Sequence, residues 1–268
     1  MPLYNAYLIL LLLYFSVDYV QPSTVKDEHQ FDLLIFTQFW PATVCTEWKE
    51  KSPAHSCAMP TRPDSWSIHG IWPTRLGTRE PSFCNRTWHF DPEQIQPIEP
   101  VMLQVWPNIE AETSTYALWS HEWTKHGTCA AVLEPLNSEL KYFSQGIDWL
   151  EKYNMLDILK IANIVPTKEK EYPIIDINNA IVKELGVRPQ IECNKVDGKN
   201  QIFEIRLCFN KSLELTDCDG VKYFGEYNSV LTNCDPSQDI YYPHNEGEPK
   251  RLYVQLYKLI SWLQWFTL

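Results

Sequence analysis

Eight cysteines distributed between Cys45 and Cys234 constrain this chain more than any other feature. Their number is even and no two stand as C-x-x-C, so neither a zinc ribbon nor a thioredoxin-like redox pair is encoded. Thiols that can all be paired suit an oxidising compartment, where disulfides form and persist. The count by itself leaves the pairing open. The N-terminus points to export: Leu8 to Val17 (LILLLLYFSV) is too short to span a bilayer and long enough for the apolar centre of a signal peptide. Residues 1–22 are therefore expected to be a removable leader. An uncleaved anchor or a buried helix is the competing reading, because no Lys or Arg precedes the run and no clean small-x-small cleavage site follows it. Two sequons, at Asn85 and Asn210, suit glycosylation on the same route.

The rest of the chain can build a sizeable core. Its 268 residues are 44% hydrophobic and 21% charged, which excludes a disordered chain, and the cysteines are too sparse for a fold held by disulfides alone. A formal net charge of −11 argues against a protein that grips long nucleic acid by displacing counterions. It leaves room for an enzyme whose positive charge is local. No internal repeat, low-complexity tract or Gly/Ser linker divides the chain, so one domain over residues 31–243 is expected.

Strands and helices mix along this domain. Leu33 to Phe39 and Trp66 to Ile71 read as apolar strands that each run into Trp-Pro. Pro97–Trp106, Thr115–His126, Ser138–Tyr153, Leu156–Ile164 and Ile177–Leu185 read as helices, the second opened by Ser114 and closed by Gly127, the last opened by Asp176 and closed by Gly186. Ile191–Val196, the turn Asp197-Gly198 and Gln201–Phe209 read as a hairpin with Phe203, Ile205, Leu207 and Phe209 on one face. The fold class is α+β, a single disulfide-stabilised domain with a central antiparallel sheet and packed helices. After Pro243 a polar stretch precedes Leu252–Leu268, rich in Tyr, Trp and Leu with Lys258 as its one charge. For this tail, residues 244–268, three readings stay open: docking on the domain, contact with a membrane interface, or a removable lipid-anchor signal.

The densest titratable cluster is Ser120-His121-Glu122-Trp123-Thr124-Lys125-His126-Gly127-Thr128-Cys129. On an α-helix Glu122, Lys125 and His126 share a face, with His121 at its edge. A zincin-like metal site is disfavoured, because His121 and His126 are five apart and point about 140° from each other on an ideal helix. The bland alternative, a solvated helix face, has to accommodate Trp119, Trp123 and Cys129 in the same segment, which suggests half burial. The second element, Trp66 to Pro73, sets His69 on a strand face with Ser67 and Ile71, opposite Trp66, Ile68 and Gly70. Alone, His69 reads as a structural histidine; Gly70 beside it permits close backbone approach, and Trp72 offers a face for base stacking.

Together, Ile68–Pro73 (IHGIWP) and Leu118–Cys129 (LWSHEWTKHGTC) resemble the two active-site segments of the ribonuclease T2 family of secreted and lysosomal-type acid ribonucleases. The likeness runs from Thr37-Gln38-Phe39-Trp40-Pro41 through Cys84-Asn85 and Trp106-Pro107 to Tyr242-Pro243, departing at Ile71, usually Leu, and Leu118, usually Phe. The resemblance implies a cofactor-free endoribonuclease that cleaves single-stranded RNA, not DNA, by transphosphorylation to 2′,3′-cyclic phosphate ends, with low base specificity. It implies His126 as general base, His69 as general acid, Glu122 and Lys125 as stabilisers of the pentacovalent state, and His121 as a phosphate ligand. Trp72 is the candidate for base stacking and Gln38 for a base contact. Glu122 next to His126 favours its imidazolium, which weighs against His126 starting as the base. The implied pairings are Cys45 with Cys57, Cys84 with Cys129, Cys193 with Cys234, and Cys208 with Cys218. A monomer in the extracellular space or the lysosomal or endosomal lumen is expected. The rival is a secreted glycoprotein of the same fold that binds or signals without catalysis.

Overall fold

The computed structural model describes residues 30–62, 64–221 and 225–245. The expected leader and the tail beyond Asn245 lie outside the described residues. The strands are β1 Leu33–Phe39, β2 Ser67–Thr74, β3 Glu171–Tyr172, β4 Gln190–Val196, β5 Lys199–Phe209, β6 Leu215–Thr216, β7 Gly225–Tyr227, β8 Val230–Thr232 and β9 Ile240–Tyr241. The helices are α1 Pro41–Lys51, α2 Glu99–Val105, α3 Ala117–Glu122, α4 Thr128–Ala130, α5 Glu139–Lys152, α6 Met155–Ile161 and α7 Ile174–Leu185.

The sequence LLIFTQF has no polar alternation, and β1 is buried at every position, as a strand covered on both faces requires. It lies between β2 and β5 and is antiparallel to both, in the order β2-β1-β5-β4-β8-β7. The expected antiparallel sheet is in fact mixed: β8 runs parallel to β4. The chain leaves β5, crosses to the outer edge of β4 and enters through the hairpin β7–β8, whose second strand runs alongside β4. The β4–β5 hairpin has the expected two-residue turn, with positive φ at both Asp197 and Gly198, the backbone that Asp-Gly favours.

Two bulges interrupt the sheet. Thr37 pairs with Gly70 and Gln38 with Ile68, so His69 is an extra residue in β2. Glu192 pairs with Glu204 and Cys193 with Ile202, so Phe203 is an extra residue in β5. The strict alternation expected for Trp66–Ile71 therefore fails: Ile68 and Ile71 both enter the main core. Gly70 turns to the opposite side, where His69 stands. The backbone groups left over at the bulge are satisfied by side chains, since Trp106 Nε1 donates to the His69 carbonyl at 2.9 Å and the Tyr142 hydroxyl bonds both the carbonyl and the N–H of Ile71.

Helices bury the other face of β1. Ser138 caps α5 by accepting from the Lys141 N–H, and Trp149 on that helix stacks on Phe209 at 3.8 Å and meets Phe36 edge-on. α7 begins at Ile174, earlier than expected, with Asp176 inside the first turn; Gly186 closes it in the left-handed conformation. Past the expected boundary at Pro243, His244 bonds Asp64 and buried Asn245 accepts from the Ala42 N–H, so the packed region reaches at least Asn245. No helix among the described residues is long and apolar enough to cross a membrane.

The four disulfides pair as the resemblance implies: Cys45–Cys57, Cys84–Cys129, Cys193–Cys234 and Cys208–Cys218. The second closes a separation of 45 residues. Loop-closure entropy assigns such a link about 4 kcal/mol. The double variant Cys84→Ala/Cys129→Ala is expected to melt roughly 10 °C lower by scanning calorimetry. A drop below about 2 °C would show that the unlinked chain is already held in place.

Candidate active site

The bulge in β2 and the helix that follows Tyr116 bring the titratable groups together. Helix α3 starts at Ala117, and Gly127 does not end it: Gly127 has φ −58°, and the chain passes through a π turn, Trp123–Gly127, into α4. A π turn bonds residues five apart, as the Thr128 N–H does to the Trp123 carbonyl. Residues that an α-helix would splay are thereby brought together, His121 meeting His126 edge-on. The ligand atoms of His121, Glu122 and His126 lie within 4.8 Å of one another, and the two imidazoles are 6.3 Å apart. The expectation that His121 and His126 diverge is corrected by this turn. By spacing, these three groups could hold a metal ion. Gly127 serves packing rather than termination, because a Cβ there would lie 2.2 Å from the Trp123 ring.

Glu122 reaches across to β2. Its Oε2 accepts from Trp72 Nε1 at 2.7 Å, and its Oε1 lies 3.9 Å from His69 Nε2. On the other side of the imidazole, His69 Nδ1 bonds Glu204 Oε1 at 2.5 Å. Trp72 meets His69 edge-on at 5.0 Å and lies at a tilt of 34° to His126 at 5.5 Å, while the Arg206 guanidinium lies 5.0 Å over its ring. Arg206 also donates to Glu204 and to Glu192.

These surroundings set the two histidines apart. Burial opposes a charge on His69, but the Glu204 carboxylate, aided by Glu122, outweighs it and raises the pKa. Burial, then the charges of Lys125, His121 and His69, hold His126 well below the ordinary value. Its Nδ1 is enclosed with no hydrogen-bonding partner among the described residues, as a neutral ring tolerates better than a charged one. His121 is lowered by partial burial and by Lys125. Burial pushes the Glu122 carboxyl up to about 7, against the pull of His69, Trp72 and Lys125. Burial would also raise Glu204, but Arg206 and His69 keep it ionised, below the usual carboxylate range. Beside it, burial and the charge of Glu204 push Glu192 up to about 7. The expected preference of His126 for its charged form is thus reversed.

A cavity of about 430 Å³ opens beside these groups, reaching His69, His121 and Glu204 and walled by Phe39, Trp48 and Phe203 among others. Residues 31–218 match the model of the ribonuclease T2 family. The chain belongs to that family. It is 38% identical to ribonuclease Oy of Magallana gigas, over 78% of this chain and 94% of the relative, and 32% identical to ribonuclease T2 of Homo sapiens, over 86% and 83%. Among solved structures, RNase NT in complex with 5′-AMP superposes with a TM-score of 0.66 at 33% identity, covering 80% of this chain and 99% of that one. Human RNase T2 gives 0.64 at 31% identity, covering 80% and 98%. Membership makes the chain a T2-type endoribonuclease acting on RNA.

Within this T2 ribonuclease, His69, Glu122 and His126 gather around Trp72, His121 lies against His126, and the charge of Lys125 acts on His121, Glu122 and His126. Gln38 does not join them. It is fully buried beneath β1, where its Nε2 donates to the Tyr153 carbonyl and its Oε1 accepts from the Met155 N–H, linking the ends of α5 and α6. The expected base contact at Gln38 is withdrawn, because both ends of its amide are occupied away from solvent. Trp72 is engaged by Arg206, His69 and His126 and donates to Glu122, so it serves as a support for the carboxyl rather than as an open stacking platform. Glu204, Arg206 and Glu192 were not anticipated from the sequence. Their signal was present: Glu204 and Arg206 are the charged residues of the otherwise apolar stretch IFEIRLCF.

Proposed function

We propose that this T2 ribonuclease is a metal-independent enzyme that cleaves single-stranded RNA by transphosphorylation, with His126 as general base and His69 as general acid. The observation that carries the reading is the opposite displacement of two imidazoles packed on one indole: His126 is held neutral and His69 is favoured as the cation. Neutral His126 takes the proton of the ribose 2′-OH as that oxygen attacks phosphorus. The bond from phosphorus to the 5′-oxygen breaks as His69 Nε2 delivers its proton to the leaving oxygen. The products are a 2′,3′-cyclic phosphate and a free 5′-OH. Glu122, protonated below about pH 7, donates from Oε1 to a non-bridging oxygen while Trp72 holds Oε2. Lys125 supplies charge from the π turn, and His121 at the mouth of the cavity binds a phosphate. The aromatic walls of the cavity, Phe39, Trp48 and Phe203, suit a stacked base without reading its edges closely, which supports low base specificity. Four disulfides support an oxidising lumen or the extracellular space as the place of work.

The deciding experiment incubates the purified protein with RNA and with DNA in EDTA, with His69→Phe and His126→Phe alongside. RNA cleavage that survives EDTA and is lost in both variants supports the reading; cleavage abolished by EDTA rejects it in favour of metal at His121, Glu122 and His126. The pH profile gives a second test. Activity falls in acid as His126 gains its proton, at a pH well under its ordinary value, and falls in base as Glu122 ionises near 7 and as His69, whose pKa the Glu204 carboxylate raises from its ordinary value, loses its proton. The expected optimum is on the acid side of neutrality. A kcat/KM maximum above pH 8 would contradict the assignment of both groups.

A further inference from the structure

As general acid, His69 acts through Nε2, and its other nitrogen has a partner of its own. Nδ1 faces Glu204, a buried carboxylate on β5 that reaches the imidazole because the Phe203 bulge resets the strand. A carboxylate this deep needs compensation, and Arg206, two residues along on the same face, donates to it through Nε and Nη2 at 3.0 and 2.6 Å. Arg206 is in turn held by Glu192 on β4 and by the Trp72 ring. Trp72 donates to Glu122, and Glu122 lies against His69 Nε2. The contacts therefore close into a ring: His69, Glu204, Arg206, Trp72, Glu122 and back to His69. Each member is in contact with the one before it and the one after it.

We propose that Glu204 is a positioning residue for the reaction: it fixes His69 with Nδ1 as donor, so that Nε2 carries the proton for the leaving oxygen, and Arg206 holds Glu204 in place. The inference rests on the reading of His69 as general acid and adds a residue to it. An imidazole that must deliver a proton from one nitrogen profits from an acceptor on the other, which selects the rotamer and stabilises the cation that must be present before transfer. Phe39 meets the same ring edge-on at 5.9 Å, and the Trp106 indole holds the His69 backbone, so the side chain is fixed from three directions. The charged groups facing His69 are Glu204 and Arg206 from β5, Glu192 from β4, and Glu122, His121 and His126 from the α3 segment. Only Glu204 contacts Nδ1 among the described residues.

Glu204→Gln tests this, because the amide keeps the size and an accepting oxygen but loses the charge, and Glu192 remains to pair Arg206. The pKa of His69, followed by NMR of histidine-labelled full-length protein, is expected to fall by about one unit or more in Glu204→Gln. In RNA cleavage the alkaline limb of kcat against pH moves down with it, kcat at pH 7 drops about tenfold, and KM changes less than about twofold. Glu204→Asp, which restores the charge at a shorter reach, recovers part of the limb. An unmoved His69 pKa overturns the proposal, as does a kcat loss that is uniform across pH. The NMR arm does not depend on turnover. A shifted His69 pKa in a protein whose His69→Phe variant still cleaves RNA would therefore sink the general-acid reading and leave the Glu204 contact standing.

Discussion

His126→Phe and His69→Phe are each expected to lower kcat/KM on RNA by about 10² to 10⁴, with the folded structure retained. Phenylalanine fills nearly the same space as imidazole, and at His126 it removes a ring nitrogen that has no hydrogen-bonding partner among the described residues, so thermal stability should hold or rise slightly. At His69 the cost differs, because the substitution leaves Glu204 without its imidazole; Arg206 still donates to it, and a modest loss of stability is expected. Two groups that act on one proton-transfer sequence form a unit, so the double variant should fall little below the weaker single one. Activity on an RNA homopolymer, read beside circular dichroism, checks all three variants. Retained cleavage in His126→Phe with an unchanged pH profile would falsify its role as base.

Gly70→Ala is the second large effect, and it acts without replacing a titratable group: the added methyl meets the Glu122 carboxyl. A Cβ at position 70 would lie 1.9 Å from Glu122 Oε2 and 2.4 Å from Trp72 Nε1. The hydrogen bond that holds the carboxyl occupies the space beside the glycine, so the methyl group has to expel one of its two partners. Overpacking of this kind costs about 1–3 kcal/mol. Displacing a group that stabilises transition-state charge costs about 10²- to 10³-fold in kcat. The effect should be absorbed in a double-mutant cycle: in a Glu122→Ala background, Gly70→Ala is expected to add little. Full additivity of the two changes would mean that Gly70 matters for the strand and not for Glu122.

Much of the fold can be read along the chain because its causes are local. The apolar start of β1 and its lack of polar alternation announce a doubly covered strand, Asp197-Gly198 announces a tight hairpin, and Ser138 and Gly186 mark helix ends. Other positions have no local cause. Gly127 has the appearance of a helix stop, and the reason it is glycine is the Trp123 ring. Gln38, adjacent to the Phe39-Trp40-Pro41 segment, reads as a site residue until α5 and α6 are seen to end against it. Charge behaves in the same way. The net charge of −11 says nothing of the site, where Lys125, Arg206 and a favoured His69 cation meet two buried glutamates.

By itself the sequence determined the family, the disulfide pattern that membership implies, and the two segments that carry the resemblance, because motif identity survives without coordinates. The tertiary structure decided what state those residues are in. A π turn and two bulges, none with a signal in residue type, bring His121 onto His126, turn Gly70 towards Glu122, and deliver Glu204 to the back of His69. Protonation is a property of the assembled surroundings: the same imidazole is favoured as a cation where a buried carboxylate meets it, and stays neutral where burial and neighbouring cations surround it.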